Sequence, residues 1–146
     1  MSYTYTYPRP AVTVDCLIFR KVSDKWQLLL IQRDKPPFEA KWALPGGFVE
    51  IDEPLQTAAQ RELKEETGLD ETELKQFRTF GQPGRDPRGR TISVVYYGFL
   101  DDSGHTPNAG SDARHAQWFK LNELPELAFD HNQIIQMAGE HLLLFR

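Results

Sequence analysis

Two runs of apolar residues near the N-terminus predict a pair of neighbouring strands. Residues 11–20 (AVTVDCLIFR) and 26–33 (WQLLLIQR) are rich in Val, Ile and Leu, and a short polar segment joins them. Apolar runs of this length, bounded by polar turn residues, are typical of buried strands. We therefore expect a hairpin here. Further strands are predicted where β-branched and aromatic residues are frequent or where polar and apolar residues alternate, at 74–81, 91–100 and 113–121.

Two other segments repeat their apolar residues at helical spacing. The first runs over 54–67; Asp52 or Glu53 is its candidate cap, and Gly68 ends it. The second runs over 131–146 and has the pattern of an amphipathic helix.

The remaining segments are interpreted as connections within one domain. Residues 33–47 contain three prolines and predict a loop with a short extended piece, whereas 121–127 (LNELPEL) predicts a turn of helix. No repeat or low-complexity linker divides the chain, and 146 residues is the size of one domain. Residues 1–146 are therefore expected to form a single α/β domain with a mixed sheet between helices.

The composition excludes several classes of protein. A formal net charge of -4 gives no electrostatic footprint for nucleic-acid binding. The single cysteine, Cys16, lies in an apolar run, which predicts a buried thiol and fits a reducing compartment. The N-terminus lacks the apolar core of a signal peptide, and no run approaches the length needed to span a membrane. We expect a soluble, cytoplasmic protein without a nucleic-acid or membrane partner.

The helix over 54–67 carries an unusual group of glutamates. At about 100° per residue, Glu66 lies about 40° to one side of Glu62 and Glu65 about 60° to the other. All three share the side of the helix that holds its small and apolar residues. A solvated acidic face is the simple alternative, but carboxylates turned toward the protein body would repel one another unless a cation lay among them. Oxygen ligands of this kind suit Mg²⁺ or Mn²⁺.

Residues next to this helix fit a metal site. Gly46 and Gly47 allow the backbone to approach closely, so a carbonyl here can join the metal shell. Arg61 can hold a neighbouring carboxylate such as Glu53 through paired hydrogen bonds. A simple ion pair at the start of the helix is compatible with the same two residues.

Residues 47–69 match the Nudix box in every defined position. The pattern is Gly47, five residues, Glu53, seven residues, Arg61-Glu62-Leu63, one residue, Glu65-Glu66, one residue and Gly68-Leu69. The chain therefore resembles the Nudix hydrolases. That resemblance implies an α/β/α sandwich and hydrolysis, with Mg²⁺ or Mn²⁺, of a nucleoside diphosphate linked to another moiety.

The resemblance also assigns roles by position. The implied metal ligands are the carbonyl of Gly47 and the carboxylates of Glu62, Glu65 and Glu66. Glu53 and Arg61 would orient them, and a glutamate of the box such as Glu65 would help to activate water. In some members the general base comes from a loop before the last strand, where Asp112 is the candidate and an ordinary loop aspartate is the alternative. The sequence leaves the base unassigned.

The segment after the box bears on the substrate. Pro83 follows Gly68 by 15 residues, and the run PGRDPRGR comes next. This arrangement resembles the bacterial ADP-ribose pyrophosphatases and the related transcription regulators. Arginines suit a diphosphate because each guanidinium offers paired donors, although a solvated turn is the alternative. The cationic candidates are Arg33, Arg85, Arg88 and Arg90.

Aromatic and histidine side chains complete the candidate substrate site. Phe129, Tyr5 and Tyr7 are candidates for stacking on adenine, with ordinary packing as the alternative. His131 is a candidate ligand contact, and a cap or core role is the alternative for a histidine near a helix start.

The leading hypothesis is hydrolysis of ADP-ribose to AMP and ribose 5-phosphate. The alternative within the class is another nucleotide, such as a nucleotide sugar or an oxidised nucleoside triphosphate. A non-catalytic ADP-ribose sensor is expected to carry a DNA-binding winged helix after the domain, and the sequence ends at Arg146. An RNA-cap hydrolase would need a basic RNA path. A homodimer is a candidate assembly, in which the Tyr-rich N-terminal arm adds to a partner.

Overall fold

The structure is a computed structural model that describes residues 2–101 and 113–145. The elements, in chain order, are β1 (Ala11–Val22), β2 (Lys25–Arg33), β3 (Trp42–Ala43), β4 (Gly46–Phe48), α1 (Leu55–Thr67), β5 (Lys75–Phe80), β6 (Thr91–Phe99), β7 (Ala113–Lys120) and α2 (His131–His141). The hairpin predicted from the first two apolar runs is confirmed, because β1 and β2 pair antiparallel.

The strands form one mixed sheet of seven strands with the central order β3-β2-β1-β6-β5. The pairing of β1 with β6 is parallel, and all the other strand pairings are antiparallel. Two strands lie off the central path: β4 pairs with β1, and β7 pairs with β2. The long central strand β1 therefore anchors both the sheet and the glycine-containing strand β4.

The two helices cover opposite faces of this sheet. Alternate side chains of β1 point to opposite faces, as in any strand. Val14, Cys16 and Ile18 pack in one core with residues of α1. Leu17 and Phe19 pack in a second core with residues of α2. The α/β/α sandwich is confirmed, and so is the burial of Cys16.

The boundaries of α1 differ from the expectation at one end only. Gly68 has the left-handed φ of 76° and its N–H donates to the Lys64 carbonyl, so it ends the helix as predicted. Pro54, however, is the N-cap, and no side chain caps the helix. The prediction that Asp52 or Glu53 caps α1 is wrong, because the Glu53 carboxylate instead accepts hydrogen bonds from Glu50 and Arg61.

The turn of helix predicted for 121–127 is also absent. The end of this segment runs beside β3 instead, where Trp42 N–H donates to Glu126 and Trp42 forms a parallel bridge with Leu127. The proline at position 125 disfavours continued helix, and the backbone groups find partners in the neighbouring strand. Neither helix of the described segments has the length and apolar character needed to cross a bilayer.

Candidate active site

A cleft of about 510 Å³ opens where β1 changes partner along one edge. Thr13, Val14 and Asp15 pair with β4, whereas the pairing with β2 begins at Phe19. The three strands therefore contribute one wall and the floor. The cleft residues from these strands include Thr13, Asp15, Arg33, Gly46, Gly47 and Phe48.

Gly47 lies directly against the carboxylate of Glu62. A Cβ built on Gly47 would come within 2.5 Å of Glu62 Oε1, which is closer than real Cβ contacts. Only glycine therefore lets the backbone and this carboxylate share the space. Glu62 lines the cleft, and its side chain is 13% exposed.

Glu66 is the most buried of the glutamates in the helix. It lines the cleft, is 6% exposed, and accepts a hydrogen bond of 2.7 Å from the N–H of Gly46. One helical turn separates Glu62 from Glu66, so α1 points both carboxylates at the two glycines of β4. The predicted closeness of this glycine pair to the glutamates is thus present in the structure.

Arg61 connects the carboxylates around the start of α1. Its Nε and Nη2 donate to Glu53 at 2.6 and 2.9 Å, and its Nη1 donates to Glu62 at 2.8 Å and Glu65 at 3.3 Å. Its Nη2 also donates to the carbonyl of Phe48. The hydrogen bond from Arg61 lowers the pKa of Glu53, and the bonds to Glu53 raise the pKa of Arg61. Arg61 therefore fixes the carboxylates relative to β4.

The three glutamates of the helix are not equivalent. The Glu65 side chain is 49% exposed and, like Glu53, lies outside the cleft lining, reaching the site through Arg61. Within residues 2–101 and 113–145, no three acidic, histidine or cysteine side chains are grouped as a ready-made set of metal ligands. The structure brings together Glu62, Glu66 and the backbone of Gly47, whereas it keeps Glu65 at the rim.

A second group of cleft residues combines arginines with aromatic rings. The guanidinium of Arg88 lies 4.7 Å from the ring centroid of Phe48 and 5.2 Å from that of Phe129. The guanidinium of Arg33 lies 5.0 Å from the centroid of the Phe129 ring. The backbone of Phe129 has a φ of 52°. A non-glycine residue in the left-handed region is uncommon and is frequent at functional sites. All four residues line the cleft.

The arginines predicted from PGRDPRGR divide into three environments. The Arg85 side chain is 4% exposed and donates two hydrogen bonds to Asp130. Burial works against the charged form of Arg85, but Asp130, with Asp15 and Asp86, outweighs burial and raises its pKa. Arg88 is 38% exposed at its side chain and holds Asp86. Burial works against the ionised form of Asp86, but Arg88 more than compensates and lowers its pKa. Arg90 donates to the Gly81 carbonyl and lies outside the cleft lining.

The remaining candidates lie elsewhere. Tyr5 is under the guanidinium of Arg9 at 3.9 Å, and Tyr7 is 76% exposed; neither lines the cleft. Asp112 falls outside the described residues.

The sequence interpretation missed one carboxylate on the floor of the cleft. Asp15 is 7% exposed, lines the cleft, and accepts a hydrogen bond from Ser93. Its Oδ1 lies 3.6 Å from Nε2 of His131, which also lines the cleft. A charged residue inside the apolar run AVTVDCLIF was the available signal, because burial of a charge requires specific partners.

The fold and this site define a class of protein. The family model for the NUDIX domain matches residues 9–138. The chain belongs to this family, so the resemblance carried by the box is confirmed.

Particular relatives refine the comparison. The chain is 46% identical over 130 residues to an ADP-ribose pyrophosphatase of Methanocaldococcus jannaschii, covering 89% of this chain and 73% of the relative. It is 38% identical over 140 residues to the ADPR responsive transcriptional repressor NtrR of Acinetobacter baylyi, covering 93% of this chain and 56% of the repressor. The chain thus spans little more than half of that repressor.

A solved structure extends the comparison to a bound ligand. The NUDIX domain of Shewanella oneidensis NrtR, solved in complex with ADP ribose, superposes with a TM-score of 0.86 at 31% identity. The match covers 93% of this chain and 90% of that one.

Proposed function

We propose that the protein is a Nudix pyrophosphohydrolase that splits ADP-ribose into AMP and ribose 5-phosphate. In this reaction water adds to one phosphorus of the diphosphate, one P–O bond forms, and the bond to the bridging oxygen breaks. The observation that carries the proposal is a single cleft that holds both the glutamates of α1 beside Gly47 and an arginine–aromatic wall. The pyrophosphatase relative and the ADP-ribose-bound neighbour support the same substrate.

The arginine–aromatic wall supplies the features needed for a nucleoside diphosphate. Arg33 and Arg88 offer planar, charged donors that match phosphate oxygens, and Phe48 and Phe129 offer faces on which a base can stack. Arg85 acts indirectly in this proposal, because its two bonds to Asp130 hold the residue that follows Phe129.

A divalent cation, Mg²⁺ or Mn²⁺, fits the donor set. Glu62 and Glu66 present carboxylate oxygens beside Gly46 and Gly47, and hard cations prefer oxygen ligands. Glu62, Glu66 and the Gly47 carbonyl would hold the ion, with Glu65 joining from the rim. When bound, such a cation supplies charge neutralisation for the diphosphate and lowers the pKa of water. Arg61 and Glu53 orient Glu62.

Substitution of the two cleft glutamates tests the metal assignment. We expect Glu62→Gln and Glu66→Gln each to reduce kcat by more than about 100-fold, since even outer-shell partners of a metal are worth about 10- to 100-fold. Glu66→Gln retains an acceptor for the Gly46 N–H, so its circular dichroism should match that of the wild type. Lys64→Gln, on the exposed side of the same helix, is the control. Near-full activity of both glutamine variants would refute the assignment.

A substrate panel tests the reaction itself. Release of AMP or phosphate is measured with Mg²⁺ for ADP-ribose, other nucleotide sugars, NADH, dinucleoside polyphosphates, and normal and oxidised nucleoside triphosphates. We expect the highest kcat/KM with ADP-ribose. Preference for another compound would be consistent with a Nudix pyrophosphohydrolase but would refute the proposal that its substrate is ADP-ribose.

A second candidate is ADP-ribose sensing without hydrolysis. It is favoured by the similarity to the ADPR responsive repressor and to the ADP-ribose-bound NrtR domain. Calorimetric binding of ADP-ribose with Mg²⁺ but no release of AMP would support the sensor. Rapid turnover would exclude a purely sensing role.

A further inference from the structure

Asp15 is a charged residue on a face of β1 that otherwise packs in the hydrophobic core. Alternation along β1 puts Asp15 on the same face as Leu17 and Phe19, which pack in the core beside α2. Its side chain is 10% exposed, and the cleft is where that exposure lies. Burial of a carboxylate is costly unless its oxygens find partners, so this position is expected to have a role that an apolar residue could not fill.

Two residues orient this carboxylate without neutralising it. Ser93, fully buried on β6, donates to Asp15 Oδ2. Nδ1 of His131 accepts a 3.0 Å hydrogen bond from the Leu44 N–H, so the proton of the neutral ring is on Nε2, the nitrogen that faces Asp15 Oδ1 at 3.6 Å. Burial lowers the pKa of His131, which favours this neutral form. Arg85 acts on Asp15 only at longer range than these contacts.

The Asp15 carboxylate has the capacity for another donor on the side that lines the cleft. On another side the backbone of Gly46 packs directly against it, since a Cβ on Gly46 would lie 2.6 Å from Asp15 Oδ1 and 2.1 Å from the Val14 carbonyl. An ionised carboxylate can accept about four hydrogen bonds, and Ser93 occupies one on the other oxygen. A carboxylate accepts from hydroxyl and amino groups and repels phosphate, which the arginines of the cleft attract.

We propose that Asp15 contacts the substrate, accepting a hydrogen bond at the floor of the cleft from a neutral donor of the bound nucleotide: a ribose hydroxyl or the exocyclic amine of the base. Ser93 and His131 are the positioning residues that aim the carboxylate. This inference rests on the proposed function, because it assumes that the cleft binds a nucleotide. It assigns discrimination between nucleotides to a residue outside the Nudix box.

The test measures KM and kcat at saturating Mg²⁺ with the best nucleotide of the substrate panel. Asp15→Asn keeps an acceptor for Ser93 but turns a donor toward the ligand. It should raise KM about 10- to 100-fold, the worth of a hydrogen bond to a charged group. Ser93→Ala leaves the carboxylate in place and should raise KM about 2- to 10-fold. Asp70→Asn, which removes an equal charge from an exposed position outside the cleft, is the control.

Ligand analogues identify the donor. The inosine analogue lacks the exocyclic amine, and deoxy analogues each lack one ribose hydroxyl. The analogue that lacks the true donor should bind weakly to the wild type, and Asp15→Asn should not weaken the binding of that analogue further. If Asp15→Asn raises KM but also weakens the binding of every analogue to the same extent, the proposed contact is overturned.

Two other outcomes also overturn the inference. One is an unchanged KM for Asp15→Asn. The other is a higher Mg²⁺ requirement with an unchanged KM at saturating Mg²⁺, which would assign the carboxylate to the metal. If Asp15→Asn does not fold, Ser93→Ala decides: a raised KM supports the contact, and an unchanged one refutes it. Failure of the proposed function would give a different result. A nucleotide other than ADP-ribose would then be the best substrate, and Asp15→Asn would still raise KM for that nucleotide.

Discussion

Gly47 and Glu62 occupy a space that cannot also hold a methyl group. The Cβ of Gly47→Ala would fall 2.5 Å from Glu62 Oε1, and the flexible glutamate side chain would have to move. We therefore expect Gly47→Ala to reduce kcat at least about 10-fold, the scale of a misplaced supporting group at a metal site. The midpoint of thermal unfolding should change little, because the displaced group is the end of a side chain at the cleft.

Gly81→Ala is the matched control for this substitution. Its Cβ would meet only Ile92, at the ordinary contact distance of 3.7 Å. Equal activities of the two alanine variants would show that Glu62 works equally well when moved, and would contradict the importance of its contact with Gly47.

Arg85 and Arg88 lie three residues apart, but their substitution by alanine is expected to have different effects. Arg85→Ala leaves Asp130 without its partner at a site where the arginine side chain is 4% exposed. Breaking a buried pair costs about 3–5 kcal/mol, so the free energy of unfolding should fall by that order. Arg88→Ala, at a more exposed cleft position, also leaves the buried Asp86 without its partner, so it should lower the free energy of unfolding and, in addition, raise KM for ADP-ribose. Urea unfolding and steady-state kinetics measure the two effects, and a raised KM for Arg85→Ala with an unchanged KM for Arg88→Ala would contradict both assignments.

The positions of individual side chains were predictable where a motif fixed their spacing. Glu62 and Glu66 were both expected near the glycine pair, and both lie there. The helical wheel alone could not separate Glu65 from them, because its exposure depends on what covers that side of the helix. The contact of Asp15 with His131 was not predictable either, since it joins two residues brought together only by the packing of α2 on β1.

At the level of elements, His131 joins α2 to the strand region that leads to the glycines. Its Nδ1 accepts from Leu44, which lies 87 positions earlier in the chain. Burial lowers the pKa of His131 below the usual value of about 6.5. As the pH falls through about 6.5, the unfolded chain takes up a proton that the folded chain does not. The stability linked to this histidine is therefore fully present above that pH and is lost as the pH falls through the folded pKa.

Thermal unfolding between about pH 7.5 and about pH 5 tests this dependence. We expect the midpoint of the wild type to fall more steeply over this range than that of His131→Asn, whose amide oxygen still accepts from Leu44 but does not titrate. His115→Asn, at an exposed position of β7, should retain the wild-type slope. Parallel curves for the wild type and His131→Asn would contradict the link.

Element boundaries were predictable where the backbone itself signals them. Gly68 ends α1 because it adopts a left-handed φ that few other residues tolerate. In the segment 121–127, Pro125 disfavours a longer helix but does not indicate which backbone groups the segment pairs with. Its backbone partners belong to Trp42, which is distant in sequence, and this tertiary pairing decided the conformation against a helical turn.

At the scale of the whole molecule, the strands β1, β2 and β6 each contribute to both hydrophobic cores, and β1 shows this most clearly. Val14, Cys16 and Ile18 belong to the core beside α1, and the intervening Leu17 and Phe19 belong to the core beside α2. Neither core can lose its packing without disturbing β1. The domain is therefore expected to unfold in one cooperative transition, as small single domains usually do.

Matched substitutions in the two cores test this coupling. Leu63→Ala on the α1 side and Ile134→Ala on the α2 side each remove a fully buried side chain, which costs about 2–5 kcal/mol. Both variants should lower the midpoint of one shared transition seen by circular dichroism and by tryptophan fluorescence, since Trp118 packs on the first core and Trp42 on the second. Ile51→Ala, at a residue that is 74% exposed, should change stability by less than about 0.5 kcal/mol. Two separate transitions in either core variant would mean that the layers on the two faces of the sheet fold independently.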